Sequence, residues 1–173
     1  SGKEKLSSST RVLTRLTESI PESSGEVGDN ISIDAILAAA KVLKAHIQAN
    51  NALPDYVIVN DEQYTLSQFL YLMSKAIGNI NDGNLGNITV VGASSPGTPN
   101  GDKILTNINK TEYLDVASRV SQYIISNGQA PNYASSSAGK ISYADLLDAF
   151  SRILAYYADN SKTLPNFVLI NNT

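Results

Sequence analysis

Three tripeptides carry the side chains best suited to hold a ligand: Pro54-Asp55-Tyr56, Pro131-Asn132-Tyr133 and Pro165-Asn166-Phe167. An aromatic face can stack on sugar C–H groups, and an adjacent carboxylate or carboxamide can bond hydroxyls and amides. An Asn precedes each tripeptide by a few residues (Asn50, Asn127, Asn160) and joins the candidate ligand-binding set. The same tripeptide also has a structural reading. Pro fixes φ, Asx bonds nearby backbone, and the aromatic plugs a core.

Other chemistry finds little material. The chain has no Cys and one His, His46, so thiolate chemistry and a Cys/His metal set are excluded. His46 falls one position off an apolar stripe, as a boundary or exposed residue does. The carboxylates are scattered, and Asp145 and Asp148 lie three apart on a helix. Nothing places two of them across one cleft, as a glycosidase requires. "DGNLGN", Asp82 to Asn87, lacks the ligand spacing of a calcium loop and reads as a turn. No catalytic residue, metal or cofactor is expected.

The elements that position these loops repeat. "NISIDAIL" from Asn30, "QYTLSQFL" from Gln63, "NINKTEYL" from Asn107 and "KISYADLL" from Lys140 superimpose, at steps of 33, 44 and 33 residues. Ile36 to Ile77 maps onto Tyr113 to Leu154 at a constant offset of 77. Pro21, Pro54 and Pro131 each precede a repeat start by nine residues. The long step holds the Gly/Pro/Ser/Asn-rich stretch Gly92 to Lys103, an exposed loop or linker. The expected organisation is therefore a degenerate or partial repeat at 1–29, a first repeat pair at 30–91, an inserted linker at 92–106, and a second pair at 107–173 that stops short at its end. The initial Ser-Gly suggests a processed tag or an excised fragment.

Each unit opens on a polar N-cap: Ser32, Thr65, Asn109 or Ser142. Thr65 with Gln68, and Asn109 with Glu112, have capping-box spacing. Amphipathic periodicity predicts helices over Ile33–Ala49, Leu66–Asn79, Lys110–Ser126 and Tyr143–Ala158. Their apolar faces include Ile36, Leu37 and Leu43; Phe69, Leu70 and Met73; Leu114, Val120 and Ile124; and Leu146, Phe150 and Leu154. Asn50, Asn127 and Asn160 suit left-handed C-caps. "NDE" at 60–62 can turn the chain so that "YVIV" and "QYT" form a small ribbon. The fold class expected is mainly α: tandem helical repeats of 33 residues, with short loop or hairpin connections bearing Pro-Asx-aromatic. Sequence neighbours should stack, so that removing the last unit from Lys140 would uncover the third helix.

Bulk properties agree with a binding scaffold. The chain has 173 residues, 42% hydrophobic, and a net charge of −3. That charge offers no field for nucleic acid, and no apolar run is long enough for a membrane span.

"ILAAAKVLKAHIQANNALPDYVIVNDEQYTLSQFLYLMSKAI" and "YLDVASRVSQYIISNGQAPNYA" resemble the pseudomurein-binding repeat. The shared pattern is an alanine-containing helix, Asn, Leu-Pro-Asx-Tyr-Val, a polar turn, and Ser or Thr opening the next helix. The resemblance runs from about Asn30 onward. The second unit departs in "NLGNITVV", Asn84 to Val91, with Gly86 for Pro and Ile88 for Tyr. In the third, Ala130 and Ala134 replace Leu and Val. The resemblance implies a non-catalytic, extracellular, wall-associated module that anchors a larger protein to the glycan or peptide of pseudomurein. It also implies continuity with other domains or further repeats. Archaeal surface proteins and viral wall-lytic enzymes carry such repeats. The competing reading is a protein–protein interaction or stalk segment with no carbohydrate role.

Overall fold

The computed structural model describes residues 23–173. The proposed partial repeat at 1–29, with Pro21, lies largely outside them. Among the described residues eight short strands and four helices follow in the order β1 Asn30–Ile31, α1 Ile33–Asn50, β2 Val57–Val59, β3 Glu62–Tyr64, α2 Leu66–Asn81, β4 Ile88–Thr89, β5 Leu105–Asn109, α3 Lys110–Asn127, β6 Tyr133–Ser136, β7 Gly139–Ser142, α4 Tyr143–Asp159 and β8 Phe167–Asn171. Helix makes up 46% and strand 21%, which corrects the mainly α expectation to a mixed α/β fold with small sheets. β2–β3 is the small ribbon expected of "YVIV" and "QYT"; much of the remaining strand comes from β1–β4 and β5–β8, which pair across two helices and give no local turn signal.

The helix starts follow from their caps. Ser32, Thr65, Asn109 and Ser142 are extended, and each side chain accepts the N–H three residues on, satisfying an orphan donor of the first turn. Thr65 and Gln68 form a full capping box. Glu112 does not return to Asn109. Its carboxylate accepts instead from the Ser137 N–H and hydroxyl, both at 2.6 Å. The helix ends also differ from expectation. Asn51 and Gly128, one residue beyond the expected Asn50 and Asn127, take the left-handed conformation. Asn160 has φ −126°, and Ser161 and Lys162 are the left-handed residues there.

All four sheets are two-stranded and antiparallel. β2–β3 and β6–β7 are hairpins. In the first, Asn60 and Asp61 both have positive φ, as a type I′ turn requires. The others close each half of the chain: Ile31 pairs with Ile88 in β1–β4, and Ile108 with Val168 in β5–β8. Every unit thus lends its two strands to its partner unit in the same half.

The helices do the opposite and pack mainly between halves, with only a smaller contact between α1 and α2 of the same half. α1 lies on α4, α4 on α2, and α2 on α3. The spatial order is 1-4-2-3, not the sequence order expected of a simple stack. The inner helices α2 and α4 are apolar on more than one face. Tyr71 and Leu72 of α2 are buried beside the expected Phe69, Leu70 and Met73. Ser67 and the Tyr143 hydroxyl meet at 2.9 Å in this interior, each satisfying the other. On α3, Tyr113 is fully buried, and its hydroxyl donates to the Pro165 carbonyl. Burial holds the phenol neutral by raising its pKa well above the ordinary value.

The residues before each half run along its hairpin. Gly25 donates to the Gln63 carbonyl and Gln63 to that of Ser23. A Cβ at Gly25 would fall 2.1 Å from the Tyr64 ring, so this approach requires glycine. In the second half, Asp102 donates to the Lys140 carbonyl, and its carboxylate accepts from the Lys140 N–H at 2.8 Å.

Two outcomes are expected. Deleting residues 140–173 should strip cover from α1 and α2 rather than only from α3. Hydrogen exchange should then show lost protection in both, whereas a simple stack would lose it in α3 alone. Tyr113→Phe leaves the Pro165 carbonyl unpaired and should destabilise the fold by about 1–3 kcal/mol in denaturant unfolding.

Candidate functional site

Each Pro-Asx-aromatic loop leaves a helix end and enters a strand, so it lies beside the last turns of the preceding helix. The result is three open grooves at matching positions. The first, about 630 Å³, is lined by Val42, Leu43 and His46 of α1 and by Leu53 to Ile58. The second, about 440 Å³, is lined by Arg119, Val120 and Tyr123 of α3 and by Pro131 to Ser135. The third, about 340 Å³, has Arg152, Ile153 and Tyr156 of α4 with Pro165 and Phe167 to Leu169, and borrows Lys44 and Gln48 of α1. The helix triplets 42/43/46, 119/120/123 and 152/153/156 follow the repeat offsets of 77 and 33.

The candidate residues divide accordingly. Asp55 and Tyr56 line the first groove, Asn132 and Tyr133 the second, and Phe167 and Asn160 the third. Phe167 is 55% exposed, too open to be a core plug. Asn166 is exposed beside the third groove without lining it. Asn132 is already engaged. Its carboxamide oxygen accepts from the Thr98 N–H at 2.8 Å, and its nitrogen donates to the Thr98 hydroxyl at 3.3 Å. Asn50, Asn127 and Asn160 each donate at 2.9 Å to the carbonyl four residues back, that of His46, Tyr123 and Tyr156. Asn50 and Asn127 therefore stand behind the grooves, closing the helix turn that presents the lining residue.

The helix walls lie outside the loop residues that form the sequence-based candidate set, although Tyr123 and Tyr156 are the natural alternative to the loops on the helix faces. His46 was set aside as a boundary residue, and Val42, Arg119 and Arg152 drew no notice. Adding 77 and 33 to positions 42 and 46 would have found them. Tyr123 and Tyr156 are 42% and 45% exposed. Arg119 bonds Asp115 at 2.9 Å and the Ser135 carbonyl at 2.7 Å, tying α3 to β6. Arg152 repeats this with Asp148 and the Leu169 carbonyl, tying α4 to β8. Lys140 sits 4.8 Å over the Tyr133 ring.

The fourth unit position is unlike the others. Lys75, Gly78 and Asn79 of α2, with Asp82 at its end, face Ser118, Ser121 and Ile125 of α3 in a groove of about 260 Å³ that no residue of the loop at 84–91 enters. Strand register gives the reason. Ile88 occupies the buried place of Val168, so the place of Phe167 falls to Asn87.

Open, repeated and faced with an aromatic ring beside a carboxylate or amide, the three grooves have the form of multivalent binding sites. The comparison with family models supplies the chemistry. The pseudomurein-binding repeat matches at residues 105–136 and again at 137–170, so the family that the sequence resembles is the one found, twice. Each match spans one strand–helix–strand unit. The repeat is a binding repeat rather than a catalytic domain, and it implies a cell-wall-binding module and hence an extracellular setting. A comparison with curated proteins gives no match. Among the described residues, no helix is long and apolar enough to cross a membrane.

If the three Asn residues serve the helix ends, Asn50→Ala, Asn127→Ala and Asn160→Ala should each cost about 0.5–1.5 kcal/mol in unfolding free energy. Thermal or denaturant melts would register this, and three unchanged melts would return these residues to the ligand.

Proposed function

We propose that the chain is a non-catalytic module that anchors a larger protein to pseudomurein through its three loop–helix grooves. The observation that carries this is the recurrence of one groove at repeat-related positions, two of them within the matched repeats. The working organisation is two repeat pairs, 30–91 and 107–173, joined by 92–106. A periodic polymer offers the same moiety many times, and a protein with several weak sites gains from occupying them together. Aromatic faces from Tyr56, Tyr133 and Phe167, with Tyr123 and Tyr156 opposite, suit sugar or peptide surfaces. Asp55 and Asn166 supply polar contacts at the groove mouths.

Retention on purified insoluble pseudomurein, competed by soluble wall fragments, is the test. Tyr56→Ala alone should weaken retention a few-fold. Tyr56→Ala, Tyr133→Ala and Phe167→Ala together should weaken it by roughly a hundredfold or more, the multivalent gain being of order 10²–10⁴. Circular dichroism must first show the helices intact. Asp55→Ala with Asn166→Ala forms a companion that leaves both apolar loop anchors and the Asn132–Thr98 tie in place. Binding should tolerate salt, since a net charge of −3 gives little long-range attraction for a carboxylate-bearing polymer. Folded variants that bind as tightly as the parent would reduce the loops to turns.

A further inference from the structure

The three grooves share a plan but differ at one strand edge. In β2–β3 the type I′ turn makes Val59 and Glu62 the closing hydrogen-bonded pair. Ile58 and Gln63 are then a non-hydrogen-bonded pair, whose backbone groups point away from each other. Gln63 confirms the geometry, since its N–H and C=O both bond outward to residues 23–25. The Ile58 N–H and C=O therefore face the opposite edge of the ribbon.

In the second half this edge is closed. Ser135 is the counterpart of Ile58, opposite Lys140, and Arg119 donates to its carbonyl. Arg152 does the same to Leu169 of β8. Each Arg is steadied by an Asp one turn earlier, Asp115 or Asp148. At the equivalent positions, α1 has Ala38 for Asp and Val42 for Arg. Val42 has no hydrogen to donate to a carbonyl. It stands 69% exposed beside Ile58, itself 42% exposed. The loop differs too. Asp55 replaces Asn132 and Asn166, and Gln63 replaces the Lys140 that covers the Tyr133 ring.

We propose that the first groove receives an extended peptide strand bearing an ammonium group, which pairs its main chain with Ile58 on an edge of β2 that no other described residue bonds. This rests on the wall-binding reading and assigns the peptide part of the wall polymer to the first groove. Unpaired strand edges are ordinarily blunted by charged side chains, as Arg119 and Arg152 do here. The edge left open is the one with apolar walls, where a peptide gains main-chain hydrogen bonds and side-chain burial together. A sugar ring cannot present an N–H and a C=O at strand spacing. Val42, Leu53 and Ile58 cover small apolar side chains, and the exposed Asp55 carboxylate attracts the ammonium.

The experiment is an amide NMR titration of the whole chain with acetyl-Ala-Lys-Ala-amide, using acetyl-Ala-Glu-Ala-amide as the charge-reversed control. The lysine peptide should shift the amides from Asp55 to Val59 and leave Asn132–Ser135 and Asn166–Leu169 unmoved. Ala38→Asp with Val42→Arg rebuilds the clamp of the other grooves and should weaken that response by roughly tenfold or more. Both positions are exposed, so the fold should stand. Asp55→Asn should bring the lysine peptide down to the level of the control. No response at Ile58, equal responses at all three strands, or parent-like affinity in both variants would overturn the assignment. Wall retention of the parent separates the two ideas. Retention without an Ile58 response sinks only the peptide assignment, and no retention sinks the wall-binding reading itself.

Discussion

Reciprocal strand exchange governs this molecule. Each unit carries one strand before its helix and one after it, and the two never pair with each other. β1 finds β4 and β2 finds β3; in the second half β5 finds β8 and β6 finds β7. Two-stranded ribbons this short are marginal alone and need apolar cover. Their inward residues, such as Ile31, Val57, Val59, Ile88, Ile108, Ala134, Ile141 and Val168, join the helix core. Strand pairing thus makes the pair of units the smallest closed element. Helix packing, running 1-4-2-3, then makes one pair depend on the other. The loops at the helix exits inherit their position from both requirements.

What was legible in the sequence was local. N-caps were legible because a side-chain oxygen three residues from an orphan N–H is a short-range device. The four helices follow, with ends extended by one or two residues. The Asn60-Asp61 hairpin was legible because a type I′ turn has its own residue preference. The closing ribbons were not. β1 and β4 are joined by a connection that includes two helices, and no turn signal spans it. Hence the fold class came out too helical. Tyr113 escaped because its polar tip argues against burial until Pro165 arrives from far along the chain to accept it. Tyr71 and Leu72 escaped because a single-face helical pattern has no place for them, while an inner helix does.

The grooves show the same division. Their loop half is contiguous in sequence and could be singled out. Their helix half is not contiguous with it and sits beside the apolar stripe, where solvent-facing residues are ordinarily uninformative. Repetition overcomes this limit: a position that recurs as His46, Tyr123 and Tyr156 has meaning that no one of them has alone. The second unit shows where such inference fails. Its Gly86-Asn87-Ile88 aligns with Pro-Asn-Phe by eye, yet the ribbon with β1 buries Ile88 and leaves Asn87 in the aromatic place. Register, a property of the partner strand, overrules local alignment there.

The edge clamps extend that reasoning to how repeats diverge. A guanidinium bonded to a strand carbonyl and to an Asp one turn back is partly desolvated; Arg152 and Asp148 are 24% and 25% exposed. Removing only one partner would strand a charge against a half-buried surface, which is costly. Ala38 and Val42 lack both members, so the first unit carries no orphan charge. Its loop meanwhile holds Asp55 where the clamped units hold Asn. A neutral Asn suits grooves that already contain a paired Arg, and a carboxylate suits one that contains none. Clamp and loop therefore differ together along the chain, which is what separate tasks for otherwise matching grooves require.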